Sequence, residues 1–286
     1  MRLVRYGRVG HEKPGVLDSE GRIRDLSKII PAIDPPMLAP RGLAKLRAIE
    51  PRTLPLVKGT PRLGVPFTGI GKIVAVGLNY SDHATEAGMP IPQEPILFFK
   101  ATTCISGPDD EVVVPKDSVK TDYECELGVV IGTQCRHVPE ESALDHVAGY
   151  CIVNDVSERE YQLERNGTQW DKGKGCDTFG PIGPWLVTPD EIPDPQALSM
   201  FLDVNGERRQ SGTTATMIFG VRFLVSYISR FMTLLPGDLI ATGTPPGVGL
   251  GFKPPRFLRP GDEMHLGIQG LGDQRQRLVA FPGTNA

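Results

Sequence analysis

A β-rich α+β fold is predicted by three observations. Gly and Pro are frequent, at 33 and 27 of 286 residues, which implies many turns and short elements. Gap-free β-branched runs of strand length recur, as in Leu-Gly-Val-Val-Ile at 127–131. Helical periodicity is confined to three stretches, at 43–49, 142–147 and 216–231. Taken in order, residues 1–68 read as a small N-terminal β domain with strands at 2–6 and 15–17, a turn at Asp18-Ser-Glu-Gly21 and the first helix. Pro51, Pro55, Pro61 and Pro66 then make a semi-extended connector. Residues 69–286 read as one larger domain of strands broken by Gly and Pro. Within it, the Gly-rich stretch 169–184 is expected to be an irregular loop rather than a helix or central strand. The segment 216–231 is apolar on too many sides for a surface helix and should pack inside or at a subunit contact. Leu235-Pro-Gly-Asp238 and Arg259-Pro-Gly-Asp262 are predicted turns, each ahead of an apolar strand.

Composition narrows the function. A net charge of −3 with no Lys/Arg cluster gives no electrostatic footprint for nucleic acid. No apolar run approaches the length of a membrane span and the N-terminus has no continuous apolar core, so a cytoplasmic protein is expected. Five scattered cysteines, Cys104, Cys125, Cys135, Cys151 and Cys176, without a C-x-x-C pair, indicate neither a disulfide framework nor a zinc site.

The most informative feature is the pair Glu124 and Glu126 inside the apolar run 123–132. Side chains at i and i+2 of a strand share a face, so both carboxylates point the same way. Burying them together costs several kcal/mol each unless a cation compensates. Asp155, at the end of the apolar run 149–155, is a third candidate. Three oxygen ligands without His or Cys suit a hard ion, Mg²⁺ or Mn²⁺. The competing reading is an edge strand whose glutamates face water.

Three other segments carry candidate chemistry. His83 and Glu86 stand at i, i+3, one helical turn apart, where the carboxylate would orient the imidazole and raise its basicity. Glycines at both ends of 77–88 would let the segment act as a lid. An ordinary solvent-facing helix turn is the alternative. Lys172 and Lys174 lie in the predicted loop 169–184, where a lysine near a metal would stabilise an enolate and a solvated lysine would do nothing. The run 240–251 lacks the Lys-Ser/Thr of a P-loop and is rejected as a nucleotide site. Thr242 and Thr244 could instead hold a substrate carboxylate, or the run could be a structural Pro-Gly corner.

Together these segments resemble the fumarylacetoacetate hydrolase family over roughly residues 70–280. The resemblance rests on Gly77-Leu-Asn-Tyr-Ser-Asp-His83, the run 122–132, Asn154-Asp-Val-Ser-Glu-Arg159, Gly173-Lys-Gly-Cys-Asp-Thr-Phe179 and Ala241-Thr-Gly-Thr-Pro-Pro-Gly-Val-Gly249, all in the family order. It implies a mixed β-roll catalytic domain behind the small N-terminal one. It places Glu124, Glu126 and Asp155 at metal-ligand positions, His83 and Glu86 on the lid dyad, and Lys174 at the catalytic lysine. Arg159, Gln162 and Thr244 fall on substrate-binding positions. The stretches 157–165 and 169–188, with the insertion 252–257, are most similar to the branch that hydrolyses 2,4-diketo-3-deoxy-L-fuconate or L-rhamnonate. One departure is Gly175, where a serine is common. The implied activity is Mg²⁺- or Mn²⁺-dependent cleavage of an acylpyruvate-type 2-keto acid to pyruvate and an acid such as lactate, by a homodimer. Oxaloacetate decarboxylation, 5-carboxymethyl-2-hydroxymuconate isomerisation, 2-oxo acid hydration and a non-catalytic sugar-acid binding module are the alternatives.

Overall fold

Short apolar runs separated by Gly and Pro dictate sheets with few helices. The computed structural model, which describes residues 1–283 except Ala87, Met89, Asn166 and Thr168, accordingly holds about 33% strand and 22% helix. Its longer strands are β1 (Arg2–Tyr6), β2 (Lys13–Leu17), β3 (Ile23–Asp25), β4 (Ile73–Gly77), β5 (Ile96–Lys100), β6 (Cys125–Ile131) and β7 (Val147–Asn154). After them come β8 (Gly180–Val187), β9 (Ser199–Val204), β10 (Glu207–Thr213), β11 (Leu239–Ala241), β12 (Glu263–Ile268) and β13 (Gly272–Val279). The helices are α1 (Pro35–Leu38), α2 (Pro40–Arg47), α3 (Ser81–Glu86), α4 (Asp171–Lys174) and α5 (Val221–Phe231). No described helix is long and apolar enough to cross a membrane.

An eleven-stranded mixed sheet follows the order β3-β2-β1-β8-β7-β6-β11-β4-β5, joined at its side by the short strands Leu63–Gly64 and Ile105–Ser106. A five-stranded sheet, β10-β9-β12-β13 and Val112–Val113, packs beside it. β11 and β4 run parallel, Ile240 opposite Val74, whereas β6 is antiparallel to both of its neighbours. The N-terminal strands are hydrogen-bonded into the large sheet, because β1 pairs with β8 through Arg2–Val187 and Leu3–Leu186.

The stretch 169–184 departs from its predicted irregularity. It opens with the single turn of α4, and from Gly180 it is a strand in the large sheet between β1 and β7. Packing overrides weak strand propensity here. A Cβ at Gly180 would sit 2.7 Å from Cys104 Sγ, so glycine is what lets this strand close on its neighbour. Pro184 falls between Gly183 and Val187, where the register against β7 shifts, so its missing N–H breaks no regular ladder.

The predicted helix at 216–231 begins only at Val221. Gly220 is extended at its N-cap, and residues 214–216 form a separate 3₁₀ turn. Its inner face buries Val221, Leu224, Val225 and Ile228, while its outer face is an aromatic ladder. Ring centroids of Phe219–Phe223, Phe223–Tyr227 and Tyr227–Phe231 are 5.3, 5.6 and 4.9 Å apart, the i, i+4 spacing of one helix face. Of the stretch 142–147, residues 142–146 are 3₁₀ rather than α-helical, within Glu140–His146, and Val147 already begins β7. Both Pro-Gly-Asp segments are the expected turns. In each, the aspartate carboxylate accepts from the amide three residues earlier, Leu235 and Arg259, at 2.7 Å.

Candidate metal centre and active site

Sheet register brings the three acids together. Cys125 of β6 pairs with Asn154 of β7, so the residue before one strand faces the residue after the other, and the Asp155 amide donates to Glu124 O at 2.9 Å. Glu126, two residues on, shares the face of Glu124. One carboxylate oxygen from each of Glu124, Glu126 and Asp155 lies within 4.8 Å of the others. Their exposures are 8%, 1% and 0%. Because β6 is paired on both sides, the water-facing edge-strand alternative does not hold.

Charges around this cluster do not balance. Lys174 Nζ reaches Glu124 Oε2 at 2.7 Å and Asp155 Oδ2 at 2.8 Å. Lys100 Nζ binds Asp155 Oδ1 at 2.6 Å. Arg159 Nε donates to Asp122 Oδ2 at 2.8 Å, and its NH2 lies 2.7 Å from Glu124 Oε1 without donor alignment, a Coulombic contact. Three cations thus meet four buried carboxylates. Burial opposes the charge of Glu124, but Lys174 and Arg159 overcome it and bring its pKa down to about 2. Glu126 has no cationic side chain among the described residues; it accepts only the Gly243 amide at 2.8 Å. Burial, with Asp155 and Glu124 beside it, pushes its carboxyl well above the usual range. An all-oxygen donor set carrying one uncompensated buried negative charge fits a hard divalent cation.

The remaining predicted residues meet in the same place. A cavity of about 600 Å³ is lined by His83, Glu86, Glu124, Glu126, Arg159, Gln162, Lys174 and Thr244. α3 forms the predicted helical turn, with His83 Nδ1 3.1 Å from Glu86 Oε2, leaving Nε2 as the other ring nitrogen. Burial would raise the Glu86 pKa, but His83 and the Gly247 amide hold it below the usual carboxylate value. Ala87, inside the predicted lid segment, lies outside the described residues. Lys174 is 2% exposed, and although burial disfavours its charge, Asp155 and Glu124 raise its pKa. Lys172, by contrast, points away and donates to Arg165 O. Gln162 accepts from Arg159 NH1 at 2.8 Å.

The Gly-rich run 240–251 turns out to serve the protein's own acids. Thr242 and Thr244 donate their hydroxyl protons to Leu127 O and Cys125 O, both at 2.9 Å. The backbone amides of the loop reach carboxylates instead: Gly243 to Glu126, Gly247 to Glu86 at 3.1 and 3.2 Å, and Gly249 and Leu250 to Asp122 at 2.7 and 3.0 Å. Side chains cannot replace its glycines. A Cβ at Gly247, where φ is +101°, would sit 1.9 Å from Arg209 O.

Two residues in the site escaped the sequence reading. Lys100 ends the run Ile-Leu-Phe-Phe-Lys; alternation puts it on the buried face with Phe98, and a lysine at an inward strand position was the available signal. Trp170 lines the cavity and packs edge-on against Phe98, with ring centroids 5.5 Å apart. It lies so close to Gly77 that a Cβ there would meet the indole at 2.3 Å.

Comparison with known proteins agrees with this geometry. The family described as "Fumarylacetoacetate (FAA) hydrolase C-terminal" matches residues 72–279. A Burkholderia orbicola protein provisionally named a hydrolase is 62% identical over 278 residues, 97% of this chain and 98% of its own. The solved maleylpyruvate hydrolase of Sphingobium sp. SYK-6, in complex with manganese(II) and pyruvate, is 29% identical with TM-score 0.80, covering 98% of this chain and 99% of that one. The 5-carboxymethyl-2-hydroxymuconate delta-isomerase of Mycobacterium smegmatis is 32% identical with TM-score 0.76, covering 98% and 99%.

Proposed function

The chain belongs to the fumarylacetoacetate hydrolase family, and from that premise we propose that it is a metal-dependent hydrolase that cleaves the carbon–carbon bond of an acylpyruvate. The products are pyruvate and a carboxylic acid. The observation that carries this reading is the meeting of the three-carboxylate cluster and the His83–Glu86 pair in one cavity. Glu124, Glu126 and Asp155 would hold a Mg²⁺ or Mn²⁺ ion, which would supply Lewis-acid polarisation of a 2-keto acid. His83, oriented by Glu86, takes the proton of the attacking water at Nε2. Water adds at the C4 carbonyl, the C3–C4 bond breaks, and the proton returns to C3. Lys174, a buried ammonium that needs no reorganisation, steadies negative charge on the enolate side. Arg159 and Gln162 line the wall assigned to the substrate's acid end, and Thr244, whose hydroxyl proton goes to Cys125 O, lines it without a free donor.

The narrower reading is a 2,4-diketo-3-deoxy-L-fuconate or L-rhamnonate, giving lactate. It is supported by the branch-like stretches 157–165 and 169–188, and by the insertion 252–257, whose Phe252, Lys253 and Pro255 wall the cavity. The isomerase neighbour supports a second reading, keto–enol isomerisation at the same centre. The His83–Glu86 pair favours hydrolysis over decarboxylation, since decarboxylation needs no activated water; isomerisation could use the same base to move a proton. Pyruvate release from acetylpyruvate, the two diketo-deoxy acids and oxaloacetate, with Mg²⁺ or Mn²⁺ added, tests it. Isomerisation of a 2-hydroxymuconate-type acid without pyruvate release from any acylpyruvate would overturn it.

A further inference from the structure

Asp122 takes no part in the reaction proposed above, yet it is fully buried, and apart from the amide of its neighbour Tyr123 the donors to its carboxylate all belong to the site. Its Oδ1 accepts from the Gly249 amide at 2.7 Å and its Oδ2 from Leu250 at 3.0 Å and Arg159 Nε at 2.8 Å. The loop it grips also grips the lid: two residues before Gly249, the Gly247 amide binds Glu86. A Cβ at Gly251 would lie 3.0 Å from the Glu86 carboxylate, so the loop also walls that side chain. On the other side, Arg159 reaches Gln162 and Glu124. Charge-assisted bonds of this kind are roughly twice as strong as neutral ones, and they lose no strength to solvent when buried.

We propose that Asp122 is a positioning residue that couples the lid to the acid-binding wall: the 247–250 loop and Arg159 share one carboxylate, so the geometry of Glu86, and through it of His83, depends on Arg159 being in place. The consequence for turnover rests on the hydrolase reading; the mechanical link does not. Glycine is required for it, because a Cβ at Gly249 would lie 2.6 Å from Asp122 Oδ1 and 2.3 Å from Arg256 O.

The test compares backbone hydrogen exchange of the metal-free, substrate-free wild type with Asp122→Asn and, separately, Gly249→Ala, which displaces the loop but leaves the Asp122 charge. Both variants are expected to exchange about tenfold faster in 81–86 and 247–250 together, with β6 unchanged. With an accepted acylpyruvate, each should lower kcat as well as raise KM. Faster exchange in 247–250 with 81–86 at the wild-type rate overturns the coupling, as does a rise in KM at unchanged kcat. If Asp122→Asn does not fold, Gly249→Ala decides alone. Because exchange is read without substrate, coupled exchange alongside absent pyruvate release would fault the assigned reaction and leave the link standing.

Discussion

Glu124, just before β6, and Glu126, within it, stand two residues apart in opposite electrostatic settings: Lys174 and Arg159 flank the first, and the second has only a backbone amide. The unpaired charge marks where a cation is wanted. Replacing Glu126 with glutamine keeps an acceptor for Gly243 and removes that charge. The metal-free Glu126→Gln protein should therefore melt no lower than wild type. Wild type at a hundredfold excess of Mg²⁺ or Mn²⁺ over its Kd should gain about 2.7 kcal/mol, and the variant should gain nothing and show no activity. Calorimetric titration and paired melts check this; a variant that binds the ion as tightly as wild type refutes the ligand set.

His83→Ala should separate metal from turnover. The imidazole contacts Glu86, not the three acids, so ion binding should be unchanged while kcat falls by about 10² to 10⁴. Full kcat in this variant would remove the acid/base pair from the mechanism.

Glu86 gives α3 a pH dependence whose sign is fixed. Its folded pKa lies below the unfolded value, through His83 and the Gly247 amide against an opposing burial effect. Its contribution is therefore complete above the ordinary glutamate pKa of about 4.3 and is lost as pH falls through the depressed folded value. The stability difference between wild type and Glu86→Gln should close as pH falls below the ordinary glutamate value. Because the side chain is 27% exposed, added salt should shrink it. A difference that instead grows as pH falls contradicts the arrangement.

Much of the centre was legible because strand alternation is a strict rule. Glu124 and Glu126 had to share a face, and a carboxylate ending the next apolar run had only to pair in register to complete the set. The i, i+3 spacing of His83 and Glu86 was legible for the same reason. Two other features were not. Gly180 to Val187 looks like loop by composition, since its place in the sheet comes from fitting against Cys104 and Pro108, contacts distant in sequence. The loop at 243–250 has obvious glycines, but the acids its amides bind, Glu86, Asp122 and Glu126, come from two other segments. Spacing within the loop says nothing about them.

The aromatic face of α5 carries a prediction about assembly. Phe231 is 64% exposed at the end of the stacked Phe219–Phe223–Tyr227 ladder, and Leu235 beyond it is 48% exposed. Tyr227 itself is buried, so the exposed apolar surface is the pair Phe231 and Leu235 at the end of the ladder, the kind of surface that a two-fold contact between copies would cover. If copies associate through this end of α5, Phe231→Glu should lower the sedimentation coefficient relative to wild type in sedimentation velocity, with the fold retained by circular dichroism. An unchanged sedimentation coefficient would show that this face is not the contact.

Lys100 makes the last prediction, on the inner side of the centre. Its ammonium meets Asp155 Oδ1, Val156 O and Lys174 O, which matches its three donors to three acceptors with no solvent contact. In Lys100→Met the stem volume is kept and the charge is lost, so Asp155 keeps only Lys174 and two carbonyls lose a donor. Breaking a buried pair from one side costs about 3–5 kcal/mol. Loss of support behind a ligand weakens ion binding about 10- to 100-fold. Urea unfolding and metal titration measure the two effects separately. A variant within about 1 kcal/mol of wild type would mean that Asp155 relaxes toward Lys174 alone, and that the ligand is held by the β6–β7 register rather than by the lysine behind it.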